Sequence, residues 1–149
     1  VAGNAGHDDP VTDREFDDPA GGDKAADNPA PPFTVRVDYL FDTADLYQHG
    51  DNEVTLGRAL QGRRHSAVIA TKVGNQWRPD GSGWDWNPRK SYIKDSVHGS
   101  LKRLRTDCID LYQLHGGTVD DPIDETIEAF EELREAGAIR HYGISSIRS

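Results

Sequence analysis

The sequence predicts an α/β fold of alternating strands and helices around a parallel sheet, and three observations carry that prediction. From Val37 onward, short β-branched or aromatic runs alternate with longer segments of helical period, which is the pattern of βαβ units. Four such runs begin near positions 38, 67, 108 and 140. Each closes on a polar residue: Asp42, Lys72, His115 and Ser145.

The first run is Asp38 to Phe41, ending at Asp42. A helix is expected from about Asn52, a capping residue, with Val54, Leu56, Ala59 and Leu60 as its apolar side and Gly62 closing it. The second run, Ala67 to Thr71, ends at Lys72. An irregular loop from Gly74 to Asn87 follows and holds all three tryptophans, Trp77, Trp84 and Trp86; loops of this length are commonly functional or disordered. Asn87-Pro88 then reads as a cap and first helical position, with Tyr92, Ile93, Val97, Leu101 and Leu104 on one buried face and an end near Arg105.

The third run is Cys108 to Leu114, ending at His115. The helix after it is entered near Asp121-Pro122, turns Ile123, Ile127, Phe130 and Leu133 inward and stops at Gly137. Arg140 to Ile144, ending at Ser145, is the fourth run.

Residues 1–34 differ in kind. Their only large apolar side chains are Val1, Val11, Phe16 and Phe33, too few to offset the entropy of ordering, so the segment is expected to be a disordered acidic tail ahead of a folded body at 35–149. The tail holds eight acidic residues against Arg14 and Lys24, and so carries most of the net charge of −9. Neither part has the basic stripe that phosphate backbones require, which argues against a nucleic-acid partner. No apolar run has the length of a membrane span, and the opening residues lack a secretory signal. Cys108 is the single cysteine, which fits a reducing compartment, and a cytoplasmic protein is the expectation. The excess of Asp over Glu and of Arg over Lys fits either a high-salt habitat or a GC-rich genome.

In a ring of parallel strands the carboxyl ends face one mouth, so Asp42, Lys72, His115 and Ser145 are expected to share a cleft. Tyr47 lies five residues past Asp42, close enough to reach over that mouth. A carbonyl that accepts hydride develops negative charge on oxygen and needs a proton or hydrogen bond there. Tyr47 is the candidate proton donor and His115 the candidate second hydrogen-bond donor. Lys72 would favour the tyrosinate left behind, and Asp42 would hold Lys72 charged and in place.

Four motifs in order, Phe41-Asp42-Thr43-Ala44-Asp45-Leu46-Tyr47, Ala70-Thr71-Lys72-Val73, Asp110-Leu111-Tyr112-Gln113-Leu114-His115 and Gly143-Ile144-Ser145-Ser146, resemble the aldo-keto reductases. The resemblance covers about residues 38–149. It implies an NADP(H)-linked reductase of aldehydes or ketones on a (β/α)8 TIM barrel, of which this chain would carry about four units. It further implies a catalytic tetrad of Asp42, Tyr47, Lys72 and His115, and cofactor contacts from Asp42, Ser145 and Ser146. The family motif at the last two positions usually reads Ser-Asn, so Ser146 is a departure. Trp77 falls where such enzymes line the substrate pocket.

Residues 1–37 resemble none of the family's opening elements, and the later strands that carry most cofactor contacts are not in the chain. A truncated or frame-altered gene model is the expectation drawn from this, with self-association through exposed sheet edges. The alternative to an oxidoreductase is a non-catalytic half barrel, either a fragment or a regulatory or interaction module.

No metal site is expected. His7-Asp8-Asp9 reads as solvated tail, and His49, His65, His98 and His141 show no paired ligand spacing. Cys108 reads as packing, since nothing near it in sequence would stabilise a thiolate.

Overall fold

The computed structural model describes residues 39–146. The acidic segment 1–34, with its His7-Asp8-Asp9 triplet, lies outside the described residues. Strands β1 (Tyr39–Asp42), β2 (Ala67–Val73), β5 (Ile109–Leu114) and β6 (Ile139–Ile144) form one parallel sheet in that order. Helices α1 (Asp51–Ala59), α2 (Lys90–Leu104) and α3 (Ile123–Glu135) connect them. The four strands lie where the apolar runs put them, with ends moved by a residue or two.

Register decides what the strand ends share. Asp42 pairs with Ala70, Ala70 with Leu111, Lys72 with Gln113, and Gln113 with Gly143. Paired residues share a face of a parallel sheet, and so do residues two apart on one strand. Asp42, Lys72, His115 and Ser145 therefore emerge on one face at the carboxyl ends. The ladder runs past the strands through His115 N–H to Val73 O (2.7 Å) and Ser145 N–H to Leu114 O (3.0 Å), which fixes both residues at the rim.

The other face meets the helices. Tyr112 of β5 is fully buried and packs edge-on against Phe130 of α3 at 5.8 Å, in a core with Ile69, Val73, Ile93, Val97 and Leu104. On α2 the expected face is the observed one, with Ser100 added and Tyr92 and Leu101 half-buried. That helix begins at Lys90, two residues after Pro88, because Asn87 Oδ1 first accepts the Arg89 N–H in a turn (3.2 Å).

Three expectations need correction. On α3 the buried residues are Thr126, Ala129, Phe130 and Leu133, while Ile123 and Ile127 are each 41% exposed. The apolar stripe is wider than the surface that α2 and β6 offer it, and its Ile123–Ile127 flank lies outside the contact. On α1 the buried face is Glu53, Gly57 and Leu60, with Val54 and Leu56 only half-buried and Ala59 exposed. A Cβ on Gly57 would stand 2.4 Å from Arg103 O, so the helices cross where a side chain has no room. Glu53 tolerates burial because Thr71 Oγ1 (2.6 Å) and Arg103 Nε (2.7 Å) donate to its two oxygens.

The third correction is the loop from Gly74 to Asn87, which is an antiparallel hairpin of β3 (Asn75–Trp77) and β4 (Trp84–Trp86). Trp77 pairs with Trp84 and Asn75 with Trp86, and an Arg78–Asp85 ion pair at 2.6 Å spans it. Pro79 and Gly81 mark the turn between its strands, and the short strands on either side alternate too briefly to stand out in sequence.

Gly57→Ala is expected to destabilise the protein by about 1–3 kcal/mol, the usual range for a methyl group forced into a filled contact. Urea denaturation followed by far-UV circular dichroism measures it, and an unchanged midpoint would show that the α1–α2 crossing yields freely.

Candidate active site

Lys72 is 7% exposed, and an ammonium in that position requires compensation. It donates to the Asp42 carboxylate and to Thr43 O (3.0 Å). Thr43 is itself tied down, its hydroxyl donating to Asn52 Oδ1 at 2.7 Å in the first turn of α1. The cation is thus fixed by the end of the neighbouring strand and by the turn leaving it.

That turn delivers Tyr47. A short 3-10 segment, Tyr47–Gly50, passes through left-handed conformations at Gln48 (φ 52°), His49 (φ 55°) and Gly50 (φ 89°). Non-glycine residues in that region cost about 1 kcal/mol or more each, so the surroundings must hold them there. The His49 ring stacks on Trp77 at 3.7 Å and 23°, which binds the turn to the β3–β4 hairpin.

Tyr47 stays 40% exposed, with its ring edge-on to His115 at 5.7 Å and 80°. The Lys72 ammonium lies 5.6 Å from the Tyr47 ring centre, within cation–π range. Asp42, Lys72, Tyr47 and His115 are thereby gathered at one place on the sheet. Among the described residues no direct hydrogen bond joins the Tyr47 hydroxyl to Lys72 or His115.

Burial, reinforced by the Lys72 ammonium and opposed by Asp42, holds the His115 imidazole below its ordinary pKa. The ring is accordingly neutral at pH 7 and carries a single N–H. Its Nδ1 is buried without a hydrogen-bond partner. Beneath the turn, Asp45 is pushed up to about 7 by burial and then by the Glu53 carboxylate, against the pull of Arg103 and the Leu46 N–H.

Ser145 and Ser146 follow β6 as exposed residues, and Ser146 Oγ lies 3.9 Å from where a Cβ on Gly116 would stand. Trp77 is half-buried against His49 and lines a cavity of about 270 Å³ with Asp45, Tyr92 and Arg103. His115 lines a different one, about 150 Å³, together with Asn75, Trp84, Trp86, Gly116, Gly117 and Thr118. Trp84 and Trp86 escaped the sequence reading, although the Trp84-Asp85-Trp86 alternation carried the signal, because period two puts both rings on one face. A third cavity of about 530 Å³ sits at the amino ends of the strands, where Arg64 and Arg140 already pair with Asp110. Cys108 at its rim is half-buried and free.

The aldo/keto reductase family model matches residues 34–149. An uncharacterised oxidoreductase, YqkF of Bacillus subtilis, is 62% identical over 76% of this chain and 37% of its own length. The aldo-keto reductase yakc [NADP(+)] of Schizosaccharomyces pombe is 38% identical over 71% of this chain and 32% of its own. Among solved structures, the holo form of aldo-keto reductase AKR11C1 from Bacillus halodurans superposes with a TM-score of 0.71 at 64% identity, covering 76% of this chain and 38% of that one. A Klebsiella pneumoniae aldo-keto reductase in complex with NADPH gives 0.60 at 35% identity, covering 71% and 34%.

The chain belongs to the aldo/keto reductase family, and its sheet is four strand units of that family's (β/α)8 TIM barrel. It spans about a third of the length of the curated relatives it matches.

Asp45 gives a pH prediction. An aspartate is ionised above about 4 in an unfolded chain, whereas Asp45 keeps its proton in the fold until about 7. The folded state therefore binds the extra proton between those values, and stability contributed by this group falls as pH rises through the window and levels off above 7. Asp45→Asn is expected to gain stability relative to the parent from pH 4 to pH 7, by up to about 4 kcal/mol. Parallel urea-midpoint curves for the two proteins over that range would mean that Asp45 is ionised throughout.

Proposed function

We propose that the chain carries the proton-donor half of an oxidoreductase that transfers hydride between NADP(H) and an aldehyde or ketone. The observation that supports this most is the cluster itself: a buried Lys72 paired to Asp42, beneath a Tyr47 ring that sits edge-on to a neutral His115.

In this reading Tyr47 protonates the carbonyl oxygen as hydride reaches the carbon. The hydroxyl bond breaks, an O–H bond forms on the product, and the tyrosinate is left facing the Lys72 ammonium. His115, being neutral, offers one N–H to the same oxygen and orients it. Asp42 keeps Lys72 charged. Reduced nicotinamide, when bound, supplies the hydride. Ser145 and Ser146, exposed at the same rim with Ser146 beside Gly116, are the residues of this chain suited to hold its carboxamide, together with Asp42. The S. pombe relative named for NADP(+) and the Klebsiella complex with NADPH support the choice of cofactor. No helix among the described residues is long and apolar enough to cross a membrane, and with the free Cys108 this is consistent with the cytoplasmic location we propose.

A second reading, a non-catalytic half barrel, is favoured by β1 and β6, which among the described residues each pair on one side, and by Tyr39 and Leu40, which are about two-thirds exposed at that edge. NADPH titration monitored by tryptophan fluorescence separates the two. Saturable quenching is expected for the reductase; a flat response up to millimolar NADPH favours the non-catalytic reading.

With residues 39–146 grafted into the full-length B. subtilis relative, Tyr47→Phe is expected to lower kcat for carbonyl reduction by about a hundredfold or more while leaving NADPH affinity unchanged. Unimpaired turnover in that variant would place the proton source elsewhere.

A further inference from the structure

Trp86 occupies an unusual position beside the cluster. Its ring lies over two glycines that follow the carboxyl ends of β2 and β5. A Cβ on Gly74 would meet Trp86 Cζ3 at 2.8 Å, and one on Gly116 would approach it at 3.8 Å. Both glycines adopt positive φ (118° and 123°), and the missing side chain of Gly74 makes room for the indole, which rests in ordinary contact beside Gly116.

The indole is also held from its far side. Trp86 Nε1–H donates to Asp121 Oδ1 at 2.9 Å, and Asp121 Oδ2 accepts the Thr118 N–H at 2.6 Å. Asp121 thus joins the hairpin after β2 to the loop after β5. Trp86, Trp84 and His115 line the same cavity of about 150 Å³, a volume of the order that accepts a benzene ring.

Building on the reductase reading of this site, we propose that Asp121 is a positioning residue that fixes the Trp86 indole as one wall of the His115 cavity and confines the substrate to compact, ring-sized aldehydes and ketones. The argument is geometric. An indole seated in a glycine slot can swing only if its single hydrogen bond lets go, and a swung ring would open the cavity toward the hairpin. Discrimination by size then depends on an acceptor that never touches the substrate.

The test uses this chain without cofactor and two ketone probes, acetophenone and 2-acetonaphthone, with binding followed by the indole N–H signals in proton–nitrogen NMR spectra. Trp86→Phe assigns the Trp86 signal. The parent is expected to bind acetophenone at least about tenfold more tightly than 2-acetonaphthone. Asp121→Ala should move the Trp86 signal and cut that ratio to about twofold or less. Asp121→Asn keeps one acceptor oxygen for the indole but sets its amide NH2 against the Thr118 N–H, so both should recover only in part.

Trp86→Phe leaves the Asp121–Thr118 bond intact and should lose the discrimination as Asp121→Ala does, so the result does not hang on the loop staying folded in one variant. An unchanged ratio in Asp121→Ala or in Trp86→Phe overturns the proposal, as does failure of the parent to bind or discriminate the probes. Because binding is read without cofactor, failure of the reductase reading appears separately, as no NADPH binding by a chain that still sorts the ketones.

Discussion

The pair formed by Lys72 and Asp42 is the constraint from which the rest of the site follows. An ammonium with 7% exposure persists only if its charge is met at close range, and the β1–β2 register supplies the carboxylate while Thr43 O supplies a second acceptor. Shift β1 by one residue and Asp42 would leave that face, the cation would be stranded, and Tyr47, five residues on, would be aimed elsewhere. The same charge reinforces the burial that lowers the His115 pKa, so one interaction bears on two candidate catalytic groups.

A layer of buried charge beneath the mouth holds it in shape. Glu53 joins Thr71 of β2 to Arg103 of α2, and Gly57 lets α1 approach closely enough for that bridge. Asp45 lies in the same layer, immediately below the turn that carries Tyr47. Its raised pKa reflects burial first and then the neighbouring Glu53 carboxylate, which the Arg103 guanidinium only partly offsets. The left-handed residues Gln48 and His49 are sustained from the other side by the His49–Trp77 stack, so helix and hairpin together fix the entry of Tyr47.

The hairpin changes the meaning of the tryptophan-rich segment. A loose loop would have let any of the three rings reach the substrate. In the hairpin Trp77 stacks on His49 while Trp84 and Trp86 line the cavity of His115, and this division of labour underlies the specificity proposed for that cavity.

The parallel-sheet class, the four strands and the polar residue at or beside the end of each were fixed by the chain itself, because apolar periodicity and strand length are local properties. The motifs from Phe41 to Tyr47 and from Asp110 to His115 were likewise enough to indicate the family. What required the folded molecule was every relation between segments distant in sequence. Register put Asp42, Lys72, His115 and Ser145 on one face; a helix crossing at Gly57 turned Glu53 rather than Val54 inward; contacts with α2 and β6 left Ile123 and Ile127 outside; the room left at Gly74 chose Trp86. Each depends on the shape and charge of a partner surface that no local pattern encodes.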